Sequence, residues 1–337
     1  MSNRIVVWCV TAALVGAAVV PAFGQEPGET WEPPRLADGR PDLQGVWDFR
    51  TATPFERPEG LGETLTEEQA AAVESFAAAA QQAAARPPAE GNVGAYNAFW
   101  LDFGTSVGDD RRSSLIVEPA NGRMPELVED AARQAGSLDV DVPGERPWRV
   151  RSAGIGADGP EDRGLAERCL VGFNSGPPMM PSAYNNNMQL FQNEDHVVIL
   201  NEMVHDARIV PLAPRDHLPE SLLQLNGDSR GRWEGDTLVV ESRNFSDMRA
   251  SFEPNALVAL GLGSTLQLTE RFTRVSDDTL LYEYTVDDPA TFTAPFTAAV
   301  PMRRSDSLIY EYACHEGNYG MINALSGARA ADASSEQ

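Results

Sequence analysis

The stretch STLQLTERFTRVSDDTLLYEYTV, from Ser264 to Val286, decides the fold of this chain. On both sides of the polar triplet Ser276-Asp277-Asp278, β-branched, aromatic and leucine residues are interspersed with polar ones. This pattern is typical of two antiparallel strands that are joined by a short turn. We therefore predict strands at Ser264–Val275 and Thr279–Val286.

The same pattern extends outward from this hairpin. We predict further strands at Met188–Gln192, His196–Pro211, Trp233–Glu241, Phe296–Arg303 and Leu308–Cys314. The sequence DTLLYEY at 278–284 has an echo, DSLIYEY, at 306–312, and a looser one at 236–241. Such echoes suit consecutive hairpins of an antiparallel sheet. The sheet must close into a barrel or stack as a sandwich to hide its edges.

Upstream of residue 188 the sequence is less regular. Thr66 begins a capping-box pattern, and an Ala-rich run then leads to two prolines after Arg86, so we predict a helix over 66–86. A short strand is predicted at Leu43–Phe49. The predicted segments are a signal peptide (1–24), an N-terminal arm with the helix and a loop-rich wrapping region (25–187), the antiparallel strands (188–320) and a flexible C-terminal tail (321–337).

Charge excludes several classes of function. The 337 residues contain 26 basic and 50 acidic residues, a net charge of −24, and every basic residue is Arg. Without Lys the chain cannot form a Schiff base or a P-loop. A strongly acidic protein is repelled by phosphate backbones, so no nucleic-acid partner is predicted.

The N-terminus predicts export. Arg4, the apolar run of residues 5–20 and the small residues of Ala22-Phe23-Gly24 form a signal-peptide pattern, with cleavage expected before Gln25. The expected location is periplasmic or secreted, with no stable membrane span after cleavage. Two cysteines then remain, Cys169 and Cys314, and in an exported protein they are expected to form one disulfide. Two buried thiols are the alternative.

Two triplets, Gly45-Val46-Trp47 and Gly231-Arg232-Trp233, are similar to the opening motif of lipocalins, in which a strand Trp plugs the base of a β-barrel. The stretches 34–47, 168–211, 227–245 and 310–319 resemble a large group of exported bacterial proteins. That resemblance implies export and a β-rich fold, but no particular chemistry. We predict a mainly β protein with an antiparallel lipocalin-like barrel, an extended N-terminal arm and one Ala-rich helix.

The densest polar cluster lies in the predicted strand His196–Pro211. Because side chains alternate along a strand, Glu202, Asp206 and Arg208 should share one face. If that face lines the barrel, Glu202, His205 and Asp206 are candidate catalytic residues, with His205 turned inward by twist or a bulge. Arg208 would then hold an anionic group of a ligand. The alternative is a solvated outer face with weak salt bridges.

Other candidate ligand-binding residues are Trp100, Tyr284, Tyr312 and His315. Aromatic residues of this kind line a cavity or are simply core. Met179 and Met180, in a loop rich in Pro and Asn, could form an apolar lid. No metal-binding motif is present, so no cofactor is predicted, although a metal ion held by distant residues stays an alternative.

Three functions follow from these observations. The first is an exported binding protein for a small apolar or aromatic ligand that carries an anionic group. The second is a periplasmic hydrolase or isomerase that uses the Glu/His/Asp/Arg site. The third is a structural module of the envelope. An apolar pocket would favour binding, an ionisable pair in a closed pocket would favour the enzyme, and a filled interior would favour the structural role.

Overall fold

A computed structural model gives the architecture and describes residues 31–86, 101–131, 159–255 and 258–335. The predicted signal peptide and Trp100 lie outside the described residues. The strands are β1 (Gly45–Asp48), β2 (Ile116–Glu118), β3 (Asn187–Gln192), β4 (His196–Asn201), β5 (Ala207–Pro211), β6 (Asp228–Glu234), β7 (Thr237–Arg243), β8 (Phe252–Asn255), β9 (Val258–Leu260), β10 (Gln267–Arg274), β11 (Thr279–Asp287) and β12 (Phe296–Ser305). The α-helices are α1 (Glu67–Ala84) and α2 (Tyr319–Ser335).

Ten of these strands form one antiparallel sheet, which confirms the mainly β prediction. Its order is β5-β4-β3-β1-β12-β11-β10-β7-β6, and β2 pairs with β12. β8 and β9 form a separate hairpin. Because β1 lies between β3 and β12, and β2 also belongs to the sheet, the sheet includes strands from outside residues 188–320.

The sheet is not closed into a barrel. Its end strands are β5 and β6, and no ladder pairs them within the described residues. They nevertheless approach each other, because a Cβ added at Gly231 of β6 would lie 2.9 Å from Cγ1 of Val210 in β5. Glycine at position 231 therefore allows the two ends to pack without a hydrogen-bonded seam.

The core lies on the inner face of the sheet. On β10 and β11 alternate residues are buried, as the sequence pattern predicts. Phe272, Tyr282 and Val300 are cross-strand neighbours on β10, β11 and β12, and all three are fully buried. Trp47 of β1 is also fully buried, and its indole Nε1 donates to the carbonyl of Leu43. Burial of these large side chains is the main source of stability for the sheet.

Two segments that were each predicted as a single strand form hairpins. The prediction of a continuous strand at His196–Pro211 is wrong, because the chain turns between β4 and β5, with Val204 at φ 60° and His205 at φ 45°. Trp233–Glu241 likewise spans the turn between β6 and β7, where Gly235 has φ 61°. Glycine suits this conformation, whereas a β-branched residue such as Val204 rarely adopts it.

The turn after β4 changes which residues face inward. On β4 the odd-numbered residues are buried, among them Val197 and Ile199. On β5 the even-numbered Arg208 and Val210 are buried. A single alternation from 196 to 211 therefore does not exist. The predicted Glu202–Asp206–Arg208 stripe is interrupted by the turn.

The predicted last strand, Leu308–Cys314, is also wrong. Within this segment Leu308 and Tyr310 are 79% and 76% exposed, and the segment pairs with no described strand. The backbone N–H of Tyr310 instead donates to Oε1 of Glu202 at 3.1 Å. Beyond it, the expected flexible tail is mostly the helix α2.

Helix α1 forms as its sequence predicts. Thr66 is the N-cap, its hydroxyl accepts from the backbone N–H of Gln69, and the Gln69 side chain accepts from the N–H of Thr66. This capping box satisfies two donors that would otherwise be unpaired at the helix start. Only Ala70 of α1 is buried, so the helix packs lightly.

Cys169 and Cys314 form the predicted disulfide, with their Cα atoms 5.7 Å apart. The bond links positions 145 residues apart in the chain. Next to it, the side-chain amide of Asn318 donates to the carbonyl of Glu167 at 2.8 Å. The segment after β12 is thus held to the loop region that precedes β3.

Candidate functional site

The predicted anion clamp, Arg208, already has a partner. Its side chain points from β5 into the core on the inner face of the sheet. There the guanidinium donates to both carboxylate oxygens of Glu270 on β10. Both side chains are buried. A buried charge is tolerated only when it is paired, and this pairing is bidentate.

Tyr282 and Met179 extend the network around this pair. The Tyr282 hydroxyl donates to Oε1 of Glu270 at 2.8 Å and accepts from the backbone N–H of Met179 at 3.1 Å. Burial, and then the charge of Glu270, hold the pKa of Tyr282 well above its ordinary value. The polar groups of this interior network therefore satisfy one another.

Tyr284, a predicted ligand-binding residue, lies beside this network. Its ring centroid is 5.5 Å from that of Tyr282, and it is fully buried. Its hydroxyl lies 2.6 Å from the sulfur of Met180. The loop that contains Met179 and Met180 therefore covers this part of the interior.

The three predicted catalytic residues lie around the turn between β4 and β5, and two of them have fixed partners. Buried Glu202 accepts from the side chain of Asn187 at 2.7 Å and from the backbone of Tyr310. Asp206 accepts from the side-chain amide of Asn226 at 2.8 and 3.0 Å. Burial raises the pKa of Asp206 above its ordinary value, although its hydrogen bond with Asn226 opposes the shift.

His205 is exposed, and its Nδ1 lies 3.2 Å from the carbonyl oxygen of Tyr312. In a neutral imidazole Nδ1 must then carry the proton, which leaves Nε2 as a proton acceptor. Tyr312 is half-buried near the disulfide, whereas His315 is exposed. The structure thus separates most of the predicted site residues. Arg208 and Tyr284 lie in the core, whereas Glu202 and His205 contact the backbone of Tyr310 and Tyr312. Asp206 binds Asn226 and lies near enough to Arg208 for their charges to interact. Trp100 lies outside the described residues.

A cleft that the sequence did not predict offers room for a ligand. Its volume is about 580 Å³, within the range of small-molecule sites. It lies where the ends of β1 and β12 meet α1 and the segment 101–106, and its lining residues are Asp48, Arg50, Gln81, Asp102, Phe103, Gly104, Thr105, Ser106, Arg303, Arg304, Ser305 and Asp306.

The segment 101–106 forms one wall of this cleft, and its backbone lies close to that of Thr51. A Cβ added at Gly104 would lie 2.1 Å from the backbone nitrogen of Thr51, so only glycine fits there. The carbonyl of Ser106 accepts from the N–H of Ala52 at 2.9 Å. The segment 101–106 is thereby fixed against the chain that leaves β1.

Three arginines of the cleft differ in their partners. Arg50 binds Asp48 and Asp102, and Arg303 binds Asp109 at 2.7 Å and Asp278 at 3.6 Å. The exposed guanidinium of Arg304 lies 5.7 Å from the centroid of the Trp47 ring. It forms no ion pair or side-chain hydrogen bond with any described residue.

The positive charge of Arg304 acts on the neighbouring residue Arg274. Arg274 also lies over the Trp47 ring, at 5.9 Å, and donates to three backbone carbonyls. Burial, and then repulsion from Arg304, lowers the pKa of the Arg274 guanidinium. An anion bound at Arg304 would relieve this repulsion.

Gln81 supplies a second incomplete group. Its side-chain nitrogen donates to the carbonyl of Leu101 at 3.0 Å, which fixes the amide orientation. Its Oε1 is buried and has no hydrogen-bond partner within the described part of the chain. A buried acceptor without a donor costs about 1–3 kcal/mol.

Sequence reasoning missed this site because its residues come from four distant segments. One local signal was present, since Arg303 and Arg304 are adjacent at the end of a predicted strand. Two adjacent residues of a strand point to opposite faces, so Arg303 shares the face of Asp48 and Arg304 shares the face of Trp47.

The described ranges contain no group of three or more His, Cys, Asp or Glu side chains that could hold a metal ion. In the same ranges no helix is both long and apolar enough to span a membrane. No protein-family model, curated protein or solved structure matches the chain, so its function is inferred from its own residues.

Proposed function

We propose that the protein binds a small ligand with an anionic group at Arg304, near the end of β12. The observation that carries this proposal is the guanidinium of Arg304, which lies over the Trp47 ring, belongs to an exposed residue and has no ion pair with the described residues. An arginine in this position can form a charge-assisted hydrogen bond with a carboxylate. Arg274, over the same ring, places a second positive charge beside it.

This proposal moves the ligand from Arg208 in the core to Arg304 near the end of β12. Arg208 would have to leave Glu270 to bind a ligand anion, and Glu270 would then be a buried carboxylate without its cation. Such a separation costs several kcal/mol. Arg304 can bind an anion without losing a partner, and the aromatic and Met residues of the interior then serve as core.

Titration calorimetry with acetate and benzoate tests the proposal. We expect Arg304→Gln to weaken binding about tenfold, which corresponds to the loss of one charge-assisted hydrogen bond. Arg232→Gln is the matched control, because Arg232 is also exposed but lies on β6 and pairs with Glu234 and Glu241. The proposal fails if neither carboxylate binds, or if both variants lose affinity equally.

An acid–base enzyme at the turn between β4 and β5 is the second candidate. It is favoured by His205, whose Nε2 is free to accept a proton when Nδ1 donates to Tyr312, and by Asp206, whose raised pKa suits a proton donor. Hydrolysis of p-nitrophenyl acetate is a direct probe. A rate that is the same in the protein and in His205→Asn would reject the enzyme.

We also propose that the protein is exported and that its sheet has a barrel-like arrangement. We expect a periplasmic or secreted protein, with an N-terminus near Gln25 after cleavage, which sequencing of the exported protein would show. The approach of β5 to β6 at Gly231 supports a barrel-like, lipocalin-like arrangement. If Gly231→Val leaves stability unchanged, β5 and β6 do not pack in the way that a barrel requires.

A further inference from the structure

Two arginines share one indole and have no carboxylate partner. The Cζ atoms of Arg304 and Arg274 lie 5.7 and 5.9 Å from the centroid of the Trp47 ring. Neither guanidinium forms an ion pair with a carboxylate in the part of the chain that the structure describes. The sequence has 26 basic and 50 acidic residues, so most arginines have carboxylates available to them. Two neighbouring arginines without one concentrate positive charge at this place.

Arg274 is bound by neutral groups. Its Nε, Nη1 and Nη2 atoms donate to the backbone carbonyls of Ser276, Asp42 and Asp277 at 3.3, 3.0 and 2.9 Å. The carboxylates of Asp42 and Asp277 attract Arg274 without forming an ion pair with it. Each attracts it less than Arg304 repels it, and burial, followed by that repulsion, lowers the pKa of Arg274. Its positive charge is therefore not neutralised by direct contact.

Arg304 presents its guanidinium at the surface in a fixed place. The residue is exposed, and a Cβ added at Gly45 of β1 would lie 3.5 Å from both Cζ and Nη2 of Arg304. The guanidinium thus packs beside Gly45 as well as over the indole of Trp47. A guanidinium has five N–H donors in a planar fork, which suits an anion with several oxygens.

We infer that the anionic group bound at Arg304 is a phosphomonoester dianion, which contacts Arg304 and is further attracted by the positive charge of Arg274. This inference rests on the proposed function and names the class of its ligand. A phosphomonoester carries a charge of about −1.5 to −2 at pH 7 and has three acceptor oxygens. Because Coulomb attraction is proportional to the product of the charges, two adjacent arginines favour a dianion over a monoanion.

The charge of the whole protein acts in the opposite direction. A net charge of −24 repels every anion, and it repels a dianion more strongly than a monoanion. Salt screens such long-range repulsion, since the Debye length is about 8 Å at an ionic strength of about 0.15 M. A phosphate in contact with Arg304 is screened much less. Affinities are therefore compared at this ionic strength, where the local charges decide the preference.

Phenyl phosphate and benzenesulfonate are the matched probes. Both have one aromatic ring and a tetrahedral head group with three terminal oxygens. Phenyl phosphate gains its second charge as the pH rises through about 6, whereas benzenesulfonate keeps a single charge. Benzoate is a planar monoanion, and inorganic phosphate separates free phosphate from its esters. Titration calorimetry measures the affinity of each probe for the full chain.

We expect phenyl phosphate to bind about tenfold more tightly than benzenesulfonate at pH 7. At pH 5 only about a tenth of phenyl phosphate is dianionic, so the preference should fall to about twofold. Arg304→Gln should weaken binding of both probes about tenfold. Arg232→Gln should change neither, because Arg232 is bound to Glu234 and Glu241 on another part of the sheet.

Variants of Arg274 test the second charge. Arg274→Met should reduce the preference at pH 7 to about threefold, and Arg274→Lys, which keeps the charge, should retain most of it. Circular dichroism shows whether each variant is folded, because both lose hydrogen bonds to the backbone. The pH dependence of the unsubstituted protein tests the inference without either variant.

Four results would contradict the inference. If benzenesulfonate and benzoate bind through Arg304 as tightly as phenyl phosphate does at pH 7, the ligand is a monoanion and the proposed function survives. A preference that does not change between pH 5 and pH 7 would not come from the second charge. Equal affinity of inorganic phosphate would assign the site to free phosphate and not to an ester. If no probe binds, the proposed function fails as well.

Discussion

The interior of the sheet and the cleft beside it both contain arginines and carboxylates, but they pair them differently. In the interior, Arg208 binds both oxygens of Glu270, and Tyr282 completes the network. Beside the cleft, Arg304 and Asp306 are exposed and have no ion pair with described residues. Buried charge persists only when it is paired, whereas exposed charge stays available to a ligand.

This difference changes how a site is recognised. The charged residues of the predicted 202–208 region suggested a ligand clamp, yet Arg208 forms a complete ion pair in the structure. Density of charge is therefore a weaker indicator of a binding site than incomplete pairing. If the comparison is right, substitutions in the interior should affect stability, and substitutions in the cleft should affect ligand binding.

The largest expected effect is in the interior. Glu270→Gln should lower the free energy of unfolding by about 3–5 kcal/mol, because it leaves the Arg208 guanidinium buried without a carboxylate. Urea denaturation at neutral pH measures the loss. In the cleft, Arg304→Gln should change the same quantity by less than about 1 kcal/mol.

A double variant separates lost charge pairing from general damage to the core. Arg208→Met combined with Glu270→Gln removes the uncompensated charge and keeps an acceptor for the hydroxyl of Tyr282. We expect it to recover at least half of the stability that Glu270→Gln loses, because apolar replacements of buried ion pairs are well tolerated. If the double variant is as unstable as the single one, the pair has no special role.

The second effect concerns the segment that runs from the cleft to the disulfide. Replacing both Cys169 and Cys314 by Ser should lower the free energy of unfolding by about 2–4 kcal/mol, because the unfolded chain loses the constraint of a long loop. Hydrogen exchange should then increase in residues 306–318 and stay unchanged at Glu270 and Tyr282. Equal increases in both places would mean that the disulfide supports the interior as well.

The sequence predicted the centre of the sheet because its hairpins repeat one simple pattern. Ser264–Val275 and Thr279–Val286 are observed as β10 and β11 with ends shifted by at most three residues. The echo at 306–312 has nearly the same residues and forms no strand. Strand formation depends on a neighbouring strand that covers the side chains, and this cannot be read from the segment itself.

The candidate site was harder to predict for two physical reasons. The turn after β4 places Val204 at positive φ, a conformation that sequence rules reserve for glycine or asparagine, so alternation was extended too far. The partner of Arg208 is 62 residues away, at Glu270. The absence of a partner at Arg304 is likewise a property of the folded chain, since only the fold decides which charges meet.

The third effect concerns the helical wall of the cleft. Thr66→Ala should lower the free energy of unfolding by about 1 kcal/mol, because the backbone N–H of Gln69 loses its acceptor. Thr66→Ser should keep most of the stability. Urea denaturation measures both variants, and equal losses in the two would mean that the hydroxyl does not cap the helix.

The smallest effect tests the cleft carboxylates directly. Burial raises the pKa of Asp48 above its ordinary value of 3.8, so the folded protein binds this proton more tightly than the unfolded chain. The ionised carboxylate therefore lowers stability above the folded pKa, and this penalty disappears as the pH falls through that pKa toward 3.8.

Asp48→Asn should accordingly raise the free energy of unfolding at neutral pH, by less than about 1 kcal/mol, and should have no effect below the ordinary pKa. Urea denaturation across this pH range measures both, with Asp236→Asn as the exposed control. A loss of several kcal/mol at neutral pH would mean that Asp48 and Arg50 form a structural pair like that of Glu270 and Arg208. The cleft would then be a second closed ion pair, and the contrast with the interior would be lost.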